Sequence, residues 1–164
     1  MPSGEFRLMI RKAEESDYEE MDLGFRESAK ALCIKNYETS QVLDWVGQPW
    51  AERFIESANK GNDQFVKICN GKVVCFAELN IKNLKLNSIF VLPTYVGKGI
   101  GQEMLNFLFS QAQKAGLQYL DLDASLNAVN FYMRNGFKKY GVSKFTTQNG
   151  VVLDAVQMRC VLSS

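Results

Sequence analysis

Ser88-Ile89-Phe90-Val91-Leu92-Pro93-Thr94-Tyr95-Val96-Gly97-Lys98-Gly99-Ile100-Gly101 is the stretch on which the fold turns. It opens as a short apolar run of strand character, passes a proline, and reaches three glycines alternating with Lys98 and Ile100. Gln102-Glu103-Met104-Leu105-Asn106-Phe107-Leu108-Phe109 follows, and apolar residues recur at Ile100, Met104, Phe107, Leu108 and Ala112, the spacing of one helix face. A strand, a glycine loop and a helix in that order make an anion site. The helix start offers unpaired N–H groups and partial positive charge, and glycine lets a phosphate approach the backbone.

Spacing separates the phosphate loops. A P-loop needs Ser or Thr after Gly-Lys, and Gly101 is followed by Gln102-Glu103, so that reading fails. The dinucleotide fingerprint wants a glycine three places after Gly99, where Gln102 stands. Asp121 and Asp123 lie about twenty residues on, at the distance of its ribose-binding acid, so nucleotide binding stays open as an alternative.

Composition narrows the chemistry. The 164 residues are 46% apolar and 23% charged with net charge +1, which is ordinary for a globular protein of one domain. That balance gives no electrostatic case for nucleic acid or an anionic membrane as partner. No apolar run reaches membrane-spanning length, and Met1 to Phe6 lacks the pattern of a signal peptide. Cys33, Cys69, Cys75 and Cys160 form no Cys-x-x-Cys pair and read as reduced, buried thiols of a cytoplasmic protein. No histidine exists. Histidine-based hydrolysis and mixed Cys/His zinc sites are therefore excluded, and no metal is expected.

Elements follow from pattern. Phe6–Ile10 reads as a first strand, and Ser16 to Glu19 has the form of a capping box ahead of a helix bearing Tyr18, Met21 and Phe25. Lys30 to Asn36 reads as that helix's end and a loop. Thr39 or Ser40 caps a second helix with Val42, Trp45 and Val46; beyond Pro49, Trp50, Phe54, Ile55 and Ala58 supply a further stripe. Asn70-Gly71 joins strands 64–69 and 72–79 as a hairpin that places Cys75 opposite Val66. Strand 86–91, the long helix to near Gly116, strand 119–124, a short helix 126–134 and a hairpin around Asn149-Gly150 complete the chain. This order predicts an α/β (α+β) fold: a mixed, mostly antiparallel central sheet with one parallel crossover and helices on both faces.

Two motifs carry a resemblance. The first is x-x-Gly-x-Gly in Val96-Gly97-Lys98-Gly99-Ile100-Gly101, preceded by the strand and Pro93. The second is Ser125-x-x-Ala128-x-x-Phe131-Tyr132-x-x-x-Gly136-Phe137, after the strand that follows the long helix. Both motifs and the order of elements over essentially the whole chain resemble the GNAT superfamily of acyl-CoA-dependent N-acetyltransferases. The resemblance implies acetyl-CoA as co-substrate, its pyrophosphate on the amides of Val96, Gly97, Lys98, Gly99, Ile100, Gly101 and Gln102. Val96 stands where relatives usually carry Arg or Gln, which removes a side-chain contact.

The same resemblance implies that the pantetheine arm runs beside Ile89, Phe90 and Val91, where a bulge splays that strand from strand 119–124. Ser125 or Asn127 bonds the arm or pyrophosphate, and Tyr132 sits beside the sulfur as general acid. A fixed backbone donor at the strand end can be worth about 3 kcal/mol at a developing oxyanion. Glu78 is the first candidate base, acting directly or through water, with Asp121 and Asp123 in reserve and a structural role the alternative for each. Ser88 stands near the place where some relatives carry a glutamate base.

The expected activity is acetyl transfer to a primary amine of a small molecule or peptide, by a monomer or homodimer. The alternative is a non-catalytic acyl-CoA-binding regulatory module. Trp45, Trp50, Phe25 and Tyr37 are candidates to wall the acceptor pocket, although their helical spacing equally suits a core. The identity of the acceptor is not legible in the sequence.

Overall fold

The structure, a computed structural model, describes residues 10–147 and 149–162. Its elements are β1 (Ile10–Lys12), α1 (Tyr18–Ser28), α2 (Thr39–Val46), α3 (Arg53–Asn59), β2 (Asp63–Cys69), β3 (Lys72–Asn80), β4 (Lys85–Val91), α4 (Ile100–Lys114), β5 (Tyr119–Ser125), α5 (Val129–Arg134), β6 (Lys138–Thr146) and β7 (Val152–Val161). The described residues form a seven-stranded sheet in the order β1-β2-β3-β4-β5-β7-β6. Only β4 and β5 run parallel.

Each face of the sheet has its own core, as the alternation of side chains along half-buried strands requires. Phe65, Ala77, Leu86, Leu120 and Leu122 pack with Met104, Leu105 and Leu108 of α4. Val66, Phe76 and Leu153 pack with Met21 and Phe25 of α1, Val42 and Trp45 of α2, and Phe54 of α3. The expected mixed sheet with helices on both faces is present. The crossover between β4 and β5 carries α4, and β7 inserts between β5 and β6.

Several local expectations needed correction. The described part of the first strand is Ile10–Lys12; Phe6 to Met9 lie outside the described residues. The predicted Ser16/Glu19 capping box is not used. Instead the Glu14 N–H donates to Asp17 Oδ2 at 2.7 Å, and Asp17 also takes a two-pronged bond from Arg11 at 2.7 and 3.0 Å. That guanidinium fork fixes Asp17, the box sits two residues upstream at Glu14 and Asp17, and a short 3₁₀ turn (Glu15–Asp17) leads into α1.

Neither Thr39 nor Ser40 caps α2; the box belongs to Glu38, whose N–H donates to Gln41 Oε1 at 3.2 Å. Residues 30–33, read as the helix's end and a loop, continue α1 as a π-helical turn over Ala29–Cys33, and the stripe beyond Pro49 forms a separate helix, α3. The Asn70-Gly71 hairpin forms with φ of 53° and 75°, the left-handed pair that a two-residue turn needs. A bulge at Val74 shifts its register, so Cys75 faces Lys67 and Val66 faces Phe76. Lys67 is buried and reaches Glu103 Oε2 in the first turn of α4 at 2.9 Å, tying β2 to that helix.

The Arg11 contact sets an acid limb on stability. It is the largest influence holding the Asp17 carboxyl below its ordinary value of 3.8. A depressed folded-state value means the stabilisation is present above 3.8 and is lost as the pH falls through the folded value. Asp17→Asn is expected to cost about 1 kcal/mol at pH 7, because Arg11 is partly exposed. In urea titrations the difference from wild type should shrink as the pH drops below 3.8. A constant difference would contradict this assignment.

Candidate active site

The one parallel pair in the sheet does not close. β4 and β5 are in register only at Lys85 and Asp121, and the Asp121 N–H donates to Leu84 O at 2.9 Å. Beyond that point the strands part toward their C-terminal ends. β4 is distorted on its other side too: Glu78 pairs with Ser88 but Leu79 with Leu86, leaving Asn87 as an extra residue. The gap opens into a cavity of about 960 Å³.

α4 points its first turn at this cavity. Gly99 caps it with φ of 80°, and Gly97 has φ of 83°, conformations that side-chain-bearing residues resist. Glu103 is the first of these amides to find a helical partner, bonding Gly99 O at 3.0 Å, which leaves the N–H groups of Ile100, Gly101 and Gln102 ahead of it. A Cβ at Gly97 or Gly99 would meet no atom within 4 Å, so the space before the loop is open. A Cβ at Gly101 would meet the Phe131 ring at 3.4 Å and Val91 at 3.6 Å. Here glycine lets the helix start close against α5.

Of the expected coenzyme-contacting residues, Ile89, Phe90 and Val91, the loop residues Val96, Gly97 and Gly99, and Ile100, Gly101 and Gln102 all border the cavity. Ser125, Asn127 and Tyr132 border it from the β5–α5 side. Lys98 does not; its ammonium lies 5.3 Å from the Tyr95 ring centroid. The side chain of Asn127 is engaged within the chain, its Oδ1 accepting from Cys33 Sγ at 3.3 Å. Burial pushes the Cys33 thiol up to about 12, so it stays protonated and donates.

Tyr132 is buried, with ring centroids 5.2 Å from Phe131 and 5.4 Å from Phe137. Burial first, and the Cys75 thiol second, raise its phenol well above the ordinary value of 10. A neutral phenol on the cavity wall is a proton donor across the physiological range.

Glu78 borders the same cavity. Ser57 donates to its Oε2 at 2.5 Å and Gln64 Nε2 donates to the same oxygen at 2.9 Å. Gln64 is itself fixed, accepting from Tyr18 at 2.7 Å and donating to Phe54 O at 2.9 Å. The reserve carboxylates are committed elsewhere. Asp121 takes a two-pronged bond from Arg159 at 2.7 and 3.0 Å and does not border the cavity. Asp123 borders it but pairs with Lys85 at 2.8 Å and accepts from Ser143 at 2.9 Å.

The expected aromatic walls divide. Phe25 and Trp45 border the cavity and are also core; Trp50 and Tyr37 do not border it. Tyr37 instead donates to Asp154 O at 2.6 Å and accepts from the Leu126 N–H at 3.0 Å, bracing β7 against the turn into α5. Not legible in the sequence were Ser57 and Gln64 behind Glu78, and the rings of Phe54, Phe76 and Phe145 beside the expected Phe90. The i, i+2 pairs Phe76/Glu78 and Ser88/Phe90 were the available signal, but only strand register shows that they share one face.

Among the described residues no cluster of His, Cys, Asp or Glu has the makings of a metal site, and no helix is long and apolar enough to cross a membrane. Residues 17–162 match the family described as an acetyltransferase (GNAT) domain. The chain is 29% identical over 135 residues to the [ribosomal protein bS18]-alanine N-acetyltransferase of Haemophilus influenzae, covering 77% of this chain and 90% of that one. It is 29% identical over 127 residues to an uncharacterised N-acetyltransferase of Methanocaldococcus jannaschii, covering 69% of this chain and only 56% of that protein's length. In fold it is similar to a GCN5-related N-acetyltransferase of Rhodopseudomonas palustris, with a TM-score of 0.79 at 23% identity over 93% of this chain and 94% of the other. A second similar structure is PaiA N-acetyltransferase of Thermoplasma acidophilum in complex with coenzyme A, with a TM-score of 0.75 at 23% identity over 93% and 97%.

Proposed function

Because the chain belongs to the GNAT acetyltransferase family, we propose that it moves an acetyl group from acetyl-CoA to a primary amine of a small molecule or peptide. The observation that carries this reading is the gap between β4 and β5, open beside unpaired amides at the start of α4 and walled by Tyr132. The residues present fit the coenzyme. Gly97 and Gly99 leave room at the loop, and the parted strands free main-chain groups along Ile89–Val91 for an extended arm.

When bound, acetyl-CoA supplies the activated acyl carbon. The chain's own groups do the rest. Amides of Gly97 and of Gly99 to Gln102 hold the diphosphate, and Ile89, Phe90 and Val91 align the arm. Ser125 and Asn127 complete its far wall. Glu78 takes a proton from the incoming ammonium, directly or through water, while Tyr132 gives its proton to the departing sulfur. One amide C–N bond forms and one C–S bond breaks; of the two protons the ammonium loses, the one taken by Glu78 goes to solvent and the other restores the Tyr132 phenol. We read the chain as one such domain acting in the cytoplasm as a monomer or homodimer, with no metal.

Thermal unfolding with candidate ligands tests this. At a hundredfold excess over Kd, acetyl-CoA or CoA should add about 2.7 kcal/mol, a rise in Tm of roughly 5–10 °C. NAD and ATP should add far less, and thiol release should follow on adding an amine panel. Stabilisation by NAD or ATP above CoA would contradict the assignment. Tight CoA binding with no thiol release from any amine would leave only the ligand-binding reading.

A further inference from the structure

The face of the β3–β4 pair that looks into the cavity carries four side chains in a block. Phe76 pairs with Phe90 and Glu78 with Ser88, and all four border the cavity. Directly paired strand residues hold their Cβ atoms about 4.5–5.5 Å apart, so Glu78 and Ser88 form one polar spot beside one aromatic spot.

The polar spot has unused capacity. Both bonds to Glu78 fall on Oε2, and among the described residues none falls on Oε1. Among those residues no cation lies within ion-pair distance of Glu78, although buried Arg53 feels its charge, whereas Asp123, the other carboxylate bordering the cavity, is paired with Lys85. Ser88 Oγ is buried and without a hydrogen-bond partner. A buried orphan hydroxyl across from a carboxylate with a spare oxygen is an arrangement that calls for a donor from outside the chain. An ammonium has three N–H donors and a positive charge, and satisfies both groups at once.

Around this spot the walls are aromatic. Phe25, Trp45, Phe54, Phe76, Phe90 and Phe145 all border the cavity. They form one contiguous group, with centroids 5.2 Å apart for Phe25–Phe90, 5.4 Å for Phe76–Phe90, 5.3 Å for Phe54–Phe76 and 5.7 Å for Trp45–Phe145. Such a wall offers apolar area and ring faces that attract a cation. The charged residues at its border oppose a polycation: Lys35, Lys60 and Arg134 stand there beside Arg53, which pairs with Asp22, and Lys85, which pairs with Asp123. A second positive charge on the ligand would meet cations rather than carboxylates.

We propose that the acceptor is a monocationic primary amine on an apolar, ring-bearing body. Its nitrogen is held by Glu78 Oε1 and Ser88 Oγ, and its body lies against the aromatic wall. This rests on the acetyl-transfer reading above and goes beyond it in naming the acceptor's class.

Calorimetry on the CoA-saturated protein tests it with 2-phenylethylamine, ethanolamine and spermidine. The expected result is 2-phenylethylamine binding at least tenfold tighter than either other amine. Glu78→Gln and Ser88→Ala should each weaken it tenfold or more while CoA affinity changes less than twofold. Ser88→Ala removes only an unbonded hydroxyl, so it reports even if Glu78→Gln disturbs Ser57 and Gln64. Spermidine or ethanolamine binding as well as 2-phenylethylamine overturns the proposal. So does CoA binding with no amine bound, which leaves the coenzyme assignment standing. Failure to bind CoA at all overturns both.

Discussion

Tyr132→Phe is expected to lower kcat by about a hundred- to a thousandfold, the size of effect that a positioned proton donor supplies. The fold should hardly notice. The ring keeps its place between Phe131 and Phe137, and only a hydroxyl is removed. Affinity for CoA, read by calorimetry, should stay within a few-fold of wild type. This split matters because a structural role would move Tm and affinity together, whereas proton delivery moves kcat alone. Burial raises the phenol well above 10, so the wild-type rate should show no loss of the acid up to that pH. A variant that releases thiol at the wild-type rate on every active amine would remove Tyr132 from the chemistry.

The second large effect is expected at the loop. Gly99→Val places a branched side chain on a residue with φ of 80°. Strain of about 1–2 kcal/mol follows from the backbone alone. No atom of the chain lies within 4 Å of the new Cβ, so the side chain would project into the open space before the start of α4. There it competes with the diphosphate for the same amides, and CoA should bind at least tenfold more weakly. Gly71→Val is the matched control, since Gly71 has φ of 75°, open space around its Cβ and no part in the cavity. Both variants should lose similar stability; only Gly99→Val should lose CoA. Equal CoA affinity in the two would mean that the loop does not hold the diphosphate.

The features legible in the sequence were the locally encoded ones. Glycines at positive φ, the Asn70-Gly71 turn and the apolar stripe of α4 are set by residues within one turn of each other. So the mixed sheet and its crossover followed from the order of elements, and Gly97 to Leu108 and Ser125 to Phe137 pointed to residues that border the cavity. What was not legible depends on contacts far apart in the chain. The Ser16/Glu19 box looked complete, but Arg11 reaches Asp17 and moves the helix start. The bulge at Val74 turned Cys75 toward Lys67, because both Val74 and Cys75 are needed in the core beneath α4. Glu78 was singled out from its strand position alone. Its support by Ser57 and Gln64 joins three elements, and the aromatic wall joins six rings scattered from residue 25 to 145.

Amide hydrogen exchange with and without CoA reads the backbone groups that would hold the coenzyme. Exchange should slow in two short segments, Gly97 to Gln102 at the start of α4 and Ile89 to Val91 along the parted edge of β4. Unchanged exchange in both segments, with protection appearing elsewhere on saturation with CoA, would contradict that role.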